Sequence, residues 1–478
     1  MARTKAVLGT GARLSDFMSA SLLARVFPFE SVSACLDKHG RGSQRLRSFP
    51  ATAGVYYCMA LSLYPEAAYE AVFSVVTSGL AWAAGQPGGQ RVAKSSISAL
   101  RAKIGFEPLQ DLMDNHCVPL ADPAGHPEAF FAGLRVVAMD GSNFELPDEA
   151  ANVEAFGYPG SRTGQAGYPQ AQCAVLVECA THAILGACIG AYGTEEFKLC
   201  KGLLPKLNAS MLCLADRGFR GHSRWVAARA TGAQLLWRAS TTQLLAVQTL
   251  LPDNSFLSQL APGAGTRQAR RDQAVTVRVI DYELPNAAGE MSAYRLITSL
   301  MDHEAAPAEQ LARLYHERWQ VEAVFDEMKT HLSRSRRVLR SKTPELVRQE
   351  FYGWVMAHYA VRWLLHQGVS RHKLKHAEQS FVAHLNALRV NQPQSGAFPP
   401  LNPRRRQRWF EQLLAQCAKL KAVRTINKRS PRMVKRRHSP HASFSRQALR
   451  KQPFEPNPVV TPPVRRTYKY THLYRDSD

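Results

Sequence analysis

The sequence predicts a mixed α/β core between two helical regions, and three observations carry that prediction. In the first 120 positions apolar residues recur at three- and four-residue steps, the period of helices. From about residue 134 the pattern changes to short continuous apolar runs separated by amphipathic stretches, which suits buried strands alternating with helices. Beyond residue 330 the chain turns basic: residues 331–478 hold 31 Lys+Arg against 7 Asp+Glu.

Residues 1–120 read as an all-α N-terminal domain, with ESVSACLDKHG, ATAGVYYCMALSLY and PEAAYEAVFSVVTSGLAW as helices and breaks at Pro65 and GQPGGQ. The Pro-rich run 116–130 reads as a linker. A core follows over 131–368. LRVVAMDGSNFELPD opens as a buried strand, and AQCAVLVECAT and ILGACIGAY read as two more. EEFKLCKGLLPKL is an amphipathic helix, SMLCLADRGF a fourth strand ending in a turn, HSRWVAARATG a helix and AQLLWRAS a fifth strand. Three strands, helix, strand, helix, strand is the ribonuclease H-like order. Trp237 in the fifth strand reads as a core residue.

Residues 241–297 alternate like strands and read as a β-rich insertion whose last strand returns to the core. One long helix is expected from Pro307 to about 336 and another over 344–367. Residues 369–478 read as a helical, basic C-terminal region with patchy structure after Gln392. That region carries two cation clusters. One is Arg404, Arg405, Arg406 and Arg408; the other is Lys428, Arg429, Arg432, Lys435, Arg436 and Arg437.

With 478 residues, 45% of them hydrophobic and 21% charged, the chain has the composition of a globular protein, which excludes a wholly disordered chain or a disulfide scaffold. No run approaches the ~18 apolar residues of a spanning helix, and no apolar signal-peptide core is visible, so no membrane partner is expected. The nine cysteines form no CxxC pair, which points to free thiols in a reducing compartment and gives no zinc spacing. The formal net charge of +23 is carried by the last third, a one-sided field that attracts a polyanion such as nucleic acid.

The candidate chemistry rests on carboxylates. Asp140 ends VVAMD before Gly141, and Asp216 ends LCLAD before Arg217 and Gly218. Each taken alone is also an ordinary turn residue, but strand ends are where ligand sites of α/β sheets collect. Tyr315, Arg318, Glu322 and Lys329 fall within a stripe about 60° wide at about 100° per residue. Leu314, Val321, Phe325, Met328 and Leu332 form the adjoining apolar face, so the stripe borders a buried surface.

In AMDGSNFELPD, in MLCLADRGF and in the string Tyr315-x2-Arg318-x3-Glu322-x6-Lys329, the chain resembles the insertion element 4 family of bacterial DDE transposases. LLARVFPFESVSACLDKHG and FPATAGVYYCMALSLYPEAAYEAV resemble the N-terminal domain found in part of that family, and the likeness spans about residues 15–365. The resemblance implies metal-dependent cleavage at element ends and strand transfer into target DNA. Asp140, Asp216 and Glu322 would be the catalytic triad and hold two Mg2+ or Mn2+ ions, a choice their all-oxygen donor set favours. Tyr315, Arg318 and Lys329 would engage terminal nucleotides. The implied partners are double-stranded DNA, as terminal inverted repeats and target, and a second copy in a synaptic complex at the nucleoid of a bacterial cytoplasm. Two other readings are a DNA-binding relic that does not cut and another ribonuclease H-like nuclease such as a junction resolvase. The complete triad argues against the first. The N-terminal domain, the insertion and the Tyr-Arg-Lys set argue against the second.

Overall fold

The β-branched runs of the middle third pair into one large sheet. The computed structural model describes residues 7–8, 12–13, 22–43, 50–73, 76, 93–161, 164–165, 167–219, 221–285, 291–316, 319–333, 338–395, 403–421 and 458–463. Strand β1 (Leu134–Glu145) is followed by β2 (Gln170–Glu178) and β3 (Ala183–Ala191), an antiparallel meander. Strands β4 (Met211–Ala215) and β5 (Gln234–Ala239) lie parallel to β1 on its other side. In the sheet these five strands lie in the order β3-β2-β1-β4-β5, and along the chain they follow one another as expected. β4 is buried at all five positions, which explains its unbroken apolar run.

The insertion does not form a separate sheet. Strands β6 (Phe256–Leu260), β7 (Val275–Pro285) and β8 (Met291–Thr298) extend the same one, with β8 antiparallel to β5, so β5 gains neighbours on both sides. Trp237, on β5, is 1% exposed and packs edge-on against Trp225, as a core residue.

The N-terminal described residues fold mainly into helices α1 (Leu22–Val26), α2 (Phe29–Lys38), α3 (Ala51–Leu63), α4 (Lys94–Ile104) and α5 (Glu107–His116). A two-residue strand pair, Val7–Leu8 with Ala12–Arg13, precedes them. The connections of the core carry α6 (Ala150–Phe156), α7 (Glu196–Cys200), α8 (His222–Arg229) and α9 (Arg267–Asp272). EEFKLCKGLLPKL splits into α7 and a tighter 3-10 segment, Lys201–Lys206, at whose end Pro205 has no N–H for an α-helical bond.

The long helix expected from Pro307 consists of α10 (Ala308–His316), α11 (Trp319–Asp326) and a π-helical turn, Glu327–Leu332. Helix α12 (Pro344–His372) runs past its expected end and stops at Lys373, whose φ is 51°. Helices α13 (Phe381–Ser395) and α14 (Pro403–Cys417) follow. Part of the described C-terminal region packs on the rest of the chain. Phe410, Leu413, Leu414 and Cys417 are buried, and Val459–Val460 pairs with Tyr282 and Glu283 of β7. The cluster Lys428 to Arg437 lies outside the described residues.

Helix α12 is the spine of the molecule. It packs on α3, α5 and β3, and on α13 and α14, and a single buried apolar cluster runs from Leu22 to Cys417. Its crossing with α3 is tight at Gly353, where a Cβ would lie 2.7 Å from the Cys58 carbonyl oxygen. Nearby, Arg101 of α4 is 2% exposed and donates to Gln349 Oε1 at 2.9 Å and Ser341 Oγ at 3.0 Å. Gln349 returns bonds to the carbonyls of Arg101 and Gly105, at 2.8 and 2.6 Å. The Pro-rich run 116–130 is docked and does not hang as a free linker. The backbone N–H groups of Leu120 and Ala121 each donate to the buried Glu178 carboxylate at 3.1 Å, and Tyr359 Oη donates to the Val118 carbonyl at 2.9 Å.

Arg101→Ala would leave Gln349 and Ser341 without their buried donor. We expect a loss of about 3 kcal/mol, read as a lower urea midpoint for the full-length chain. An unchanged midpoint would mean that the Arg101 network does not hold the N-terminal helices to α12.

Candidate active site

Strand register sets the two aspartates side by side. The last pair of the parallel β1–β4 ladder is Met139 with Ala215; the next residues are Asp140, still within β1, and Asp216, just past the end of β4. In-register neighbours on adjacent strands lie about 4.8 Å apart and point to one face. The burial of β1 ends at the same level: residues 136–139 are buried and Asp140 is partly exposed. β1 continues to Glu145 while β4 stops, so beyond Asp140 that side of β1 has no β4 neighbour. The local backbone turns onto both carboxylates. Gly141 N–H donates to Asp140 Oδ1 at 2.9 Å, and Arg217 N–H to Asp216 Oδ1 at 2.6 Å.

The helical segment 308–332 lies over these strand ends and is attached at two points seven residues either side of Glu322. At one end Tyr315 Oη donates to the Ala215 carbonyl, the residue before Asp216, at 3.3 Å. At the other, Lys329 Nζ donates to Ser142 Oγ, two residues beyond Asp140, at 2.5 Å. Between them α11 packs on β1, and Glu322 sits on its exposed side. Leu314, Val321, Phe325, Met328 and Leu332 are buried, as the apolar face requires. Tyr315 is buried too, at 5% exposure, so its ring belongs partly to the core. Burial also lowers the pKa of the Lys329 ammonium. Arg318 lies outside the described residues.

Two polar neighbours of this site were not read from the sequence. Arg238 continues the parallel β4–β5 register one step past the Ala215–Trp237 pair, and its Nη1 lies 3.8 Å from Asp216 Oδ1. Ser142 holds Lys329. Only strand pairing reveals either, because neither has a distinctive sequence context.

The π-helical turn has its own anchor. Glu327, 7% exposed, takes His358 Nε2 at 2.8 Å and Arg362 Nε at 3.0 Å on Oε2; on Oε1 it takes His182 Nδ1 at 3.0 Å and pairs closely with Arg362 Nη2. Burial opposes ionisation, but Arg362 and the two histidines outweigh it and hold the Glu327 carboxyl well below the usual range. Burial lowers the pKa of His182 and His358.

Asp140, Asp216 and Glu322, the three residues expected from the sequence, offer only carboxylate oxygens, donors that suit hard divalent cations. Residues 132–360 match the transposase DDE domain, and residues 18–114 match the insertion element 4 transposase N-terminal model. The core is thus that of a DDE transposase, an enzyme that cuts and joins DNA strands with divalent metal. The chain belongs to the insertion element 4 family of these transposases.

Two relatives come from Escherichia coli (strain K12). "Transposase InsG for insertion sequence element IS4" is 25% identical over 339 residues, 70% of this chain and 74% of that protein. "Putative transposase InsZ" is 23% identical over 223 residues, 46% and 71% of the two chains. A cryo-EM structure of the piggyBac transposase synaptic complex with hairpin DNA aligns with a TM-score of 0.39 at 11% identity, over 83% of this chain and 84% of that one.

The Glu327 cluster predicts acid sensitivity. His182 and His358 have folded pKa values below the unfolded value near 6.5, so the unfolded state takes up protons first as pH falls. Their stabilisation is present above pH ~6.5 and is lost below it, by up to about 1.4 kcal/mol per pH unit for each histidine. Glu327 adds to the loss below its unfolded value near 4.5. Denaturation midpoints should be flat from pH 8 to 7 and fall from pH 6.5 to 5. A flat profile down to pH 5 would contradict buried neutral histidines. Glu327→Ala, which strands Arg362, should cost about 3–5 kcal/mol at pH 7.5 in the same assay.

Proposed function

We propose that Asp140, Asp216 and Glu322 are the catalytic carboxylates with which this insertion-sequence transposase cleaves its element ends and joins them to target DNA, a cut-and-paste reaction. The observation that carries this is the β1–β4 register, which brings Asp140 beside Asp216 under a helix that presents Glu322. The three carboxylates would hold two Mg2+ or Mn2+ ions, which when bound activate the attacking oxygen and stabilise the leaving one. The protein's own work is positional. Backbone N–H groups fix one oxygen each of Asp140 and Asp216, and the Tyr315 and Lys329 anchors fix the level of Glu322.

Tyr315, Arg318 and Lys329 engage the terminal nucleotides, Arg318 and Lys329 through phosphates and Tyr315 by a phosphate hydrogen bond or by stacking on a base. The guanidinium grips two phosphate oxygens and the ammonium acts as a point charge. Lys329 would exchange Ser142 for phosphate, and Arg238 would keep Asp216 oriented before DNA arrives. The helical N-terminal region (1–120) binds element ends, and the core (131–368, with insertion 241–297) cuts. The region 369–478 adds phosphate contacts and assembly surface. Two copies on two ends form the synaptic complex, working at the nucleoid in the bacterial cytoplasm. No helix among the described residues is long and apolar enough to cross a membrane.

Asp140→Asn, Asp216→Asn and Glu322→Gln should each lower cleavage of an end fragment at saturating protein by at least a thousandfold, with end binding within about threefold of wild type. Three such variants that cut normally would remove the assignment. Lys329→Ala should lower cleavage about a hundredfold with little change in affinity.

A second prediction separates charge from chemistry. Deleting 400–478 would remove buried Phe410 and Leu413, so the basic cluster is better neutralised by substitution. Changing Lys428, Arg429, Arg432, Lys435, Arg436 and Arg437 to Gln should flatten the log–log salt dependence of DNA binding by about 0.9 for each phosphate that the cluster neutralises. Cleavage at saturation should be retained. An unchanged slope would assign the phosphate contacts to other regions.

A further inference from the structure

Three histidines outside the proposed reaction meet near the C-terminal end of α12. His126 comes from the docked run 116–130, His366 from α12, and His376 from the 3-10 turn His376–Glu378 that leads into α13. All three are buried. The ring centroids are 4.7 Å apart for His126–His366 and 5.2 Å for each of the other pairs. One ring nitrogen from each lies within 4.8 Å of the other two. His366 Nδ1 is 3.0 Å from His376 Nε2, and Ser370 Oγ lies 3.1 Å from His126 Nε2 and 3.3 Å from His366 Nε2.

Carboxylates stand behind two of the rings. Asp122 Oδ2 is 2.9 Å from His126 Nδ1, and Glu128 Oε1 is 3.7 Å from His376 Nδ1. A carboxylate hydrogen-bonded at Nδ1, as Asp122 is to His126, places the proton there and leaves the Nε2 lone pair for a ligand bond, the usual outer contact of a metal-bound histidine; Glu128 lies near His376 Nδ1 without hydrogen-bonding it.

We propose that His126, His366 and His376 form a structural transition-metal site, suited to zinc and independent of the three carboxylates at the strand ends. Imidazole selects zinc over magnesium, and three nitrogens leave a fourth position for water or a carboxylate. Ligand nitrogens at ~2.0–2.1 Å from a tetrahedral ion lie roughly 3.3 Å apart, close to the His366–His376 separation. His376 also lines a solvent-open cleft of about 440 Å3. A bound ion would pin the docked run, α12 and the turn into α13 together, where the basic C-terminal region begins. Cysteine spacing could not reveal such a site, because its ligands are histidines from three separate segments.

The test loads chelator-stripped, full-length protein with zinc or cobalt(II) alone. It compares wild type with an Asp216→Asn, Glu322→Gln double variant that weakens the carboxylate site. Both should retain one zinc per chain through desalting and give the visible absorption of tetrahedral, nitrogen-ligated cobalt. Zinc should raise their melting temperature by several degrees. His366→Gln with His376→Gln should weaken zinc at least a hundredfold and abolish both the spectrum and the melting shift. Because those positions are buried, Asp122→Asn provides a safer variant: its side chain is 60% exposed, and it should weaken zinc about tenfold. Zinc well below one equivalent would overturn the proposal. So would zinc lost with the carboxylate variant, or zinc affinity untouched by Asp122→Asn and by the histidine changes.

Discussion

One buried carboxylate joins three parts of this molecule. Glu327 lies in the π-helical turn after α11, accepts from His182 between β2 and β3, and pairs with Arg362 and His358 of α12. The sheet, the helix that carries Glu322, and the spine of the fold therefore meet at one side chain. Desolvating such a charge is costly, and its neighbours only offset that cost when all of them are present. The pair therefore contributes more to geometry than to net stability. It fixes the turn two residues before Lys329, and Phe381 closes the cluster by stacking on His358.

Above that anchor, the active site depends on two attachments of a helical segment to two strand ends. The Tyr315 bond to Ala215 sets its position against β4, and the Lys329 bond to Ser142 sets it against β1. Both attachments use residues of the same polar stripe as Glu322. A stripe that borders the core can be half structural and half chemical, and here the buried Tyr315 and the exposed Glu322 divide in that way. The π-helical turn, Glu327–Leu332, begins after Glu322 and contains Lys329. It alters the simple 3.6-residue phase and is a feature often found at functional sites.

The N-terminal helices share a continuous core with α12, through the Gly353–Cys58 crossing and the Arg101–Gln349 network. The run 116–130 adds a second connection, since its backbone is bound by Glu178 and Tyr359 and its His126 faces His366 and His376.

The sequence by itself determined the order of the five core strands along the chain, the close of a strand just before Asp216, and the apolar and polar faces around Glu322. These follow from local periodicity, which depends only on residues near in the chain. It also located the basic excess in the last third, because charge is a sum and needs no coordinates. It did not show that the first strand runs past Asp140 to Glu145, nor the helix α6 that follows it. The tertiary structure decided what depends on pairing between distant segments. The continuation of the sheet through β8 was settled by β5 having a free edge. The contacts of Arg238 and Ser142 follow from strand register. The Glu327 cluster joins residues 145 and 35 positions apart. The three histidines assemble because the Pro-rich run docks on a buried carboxylate, and no local pattern encodes that docking.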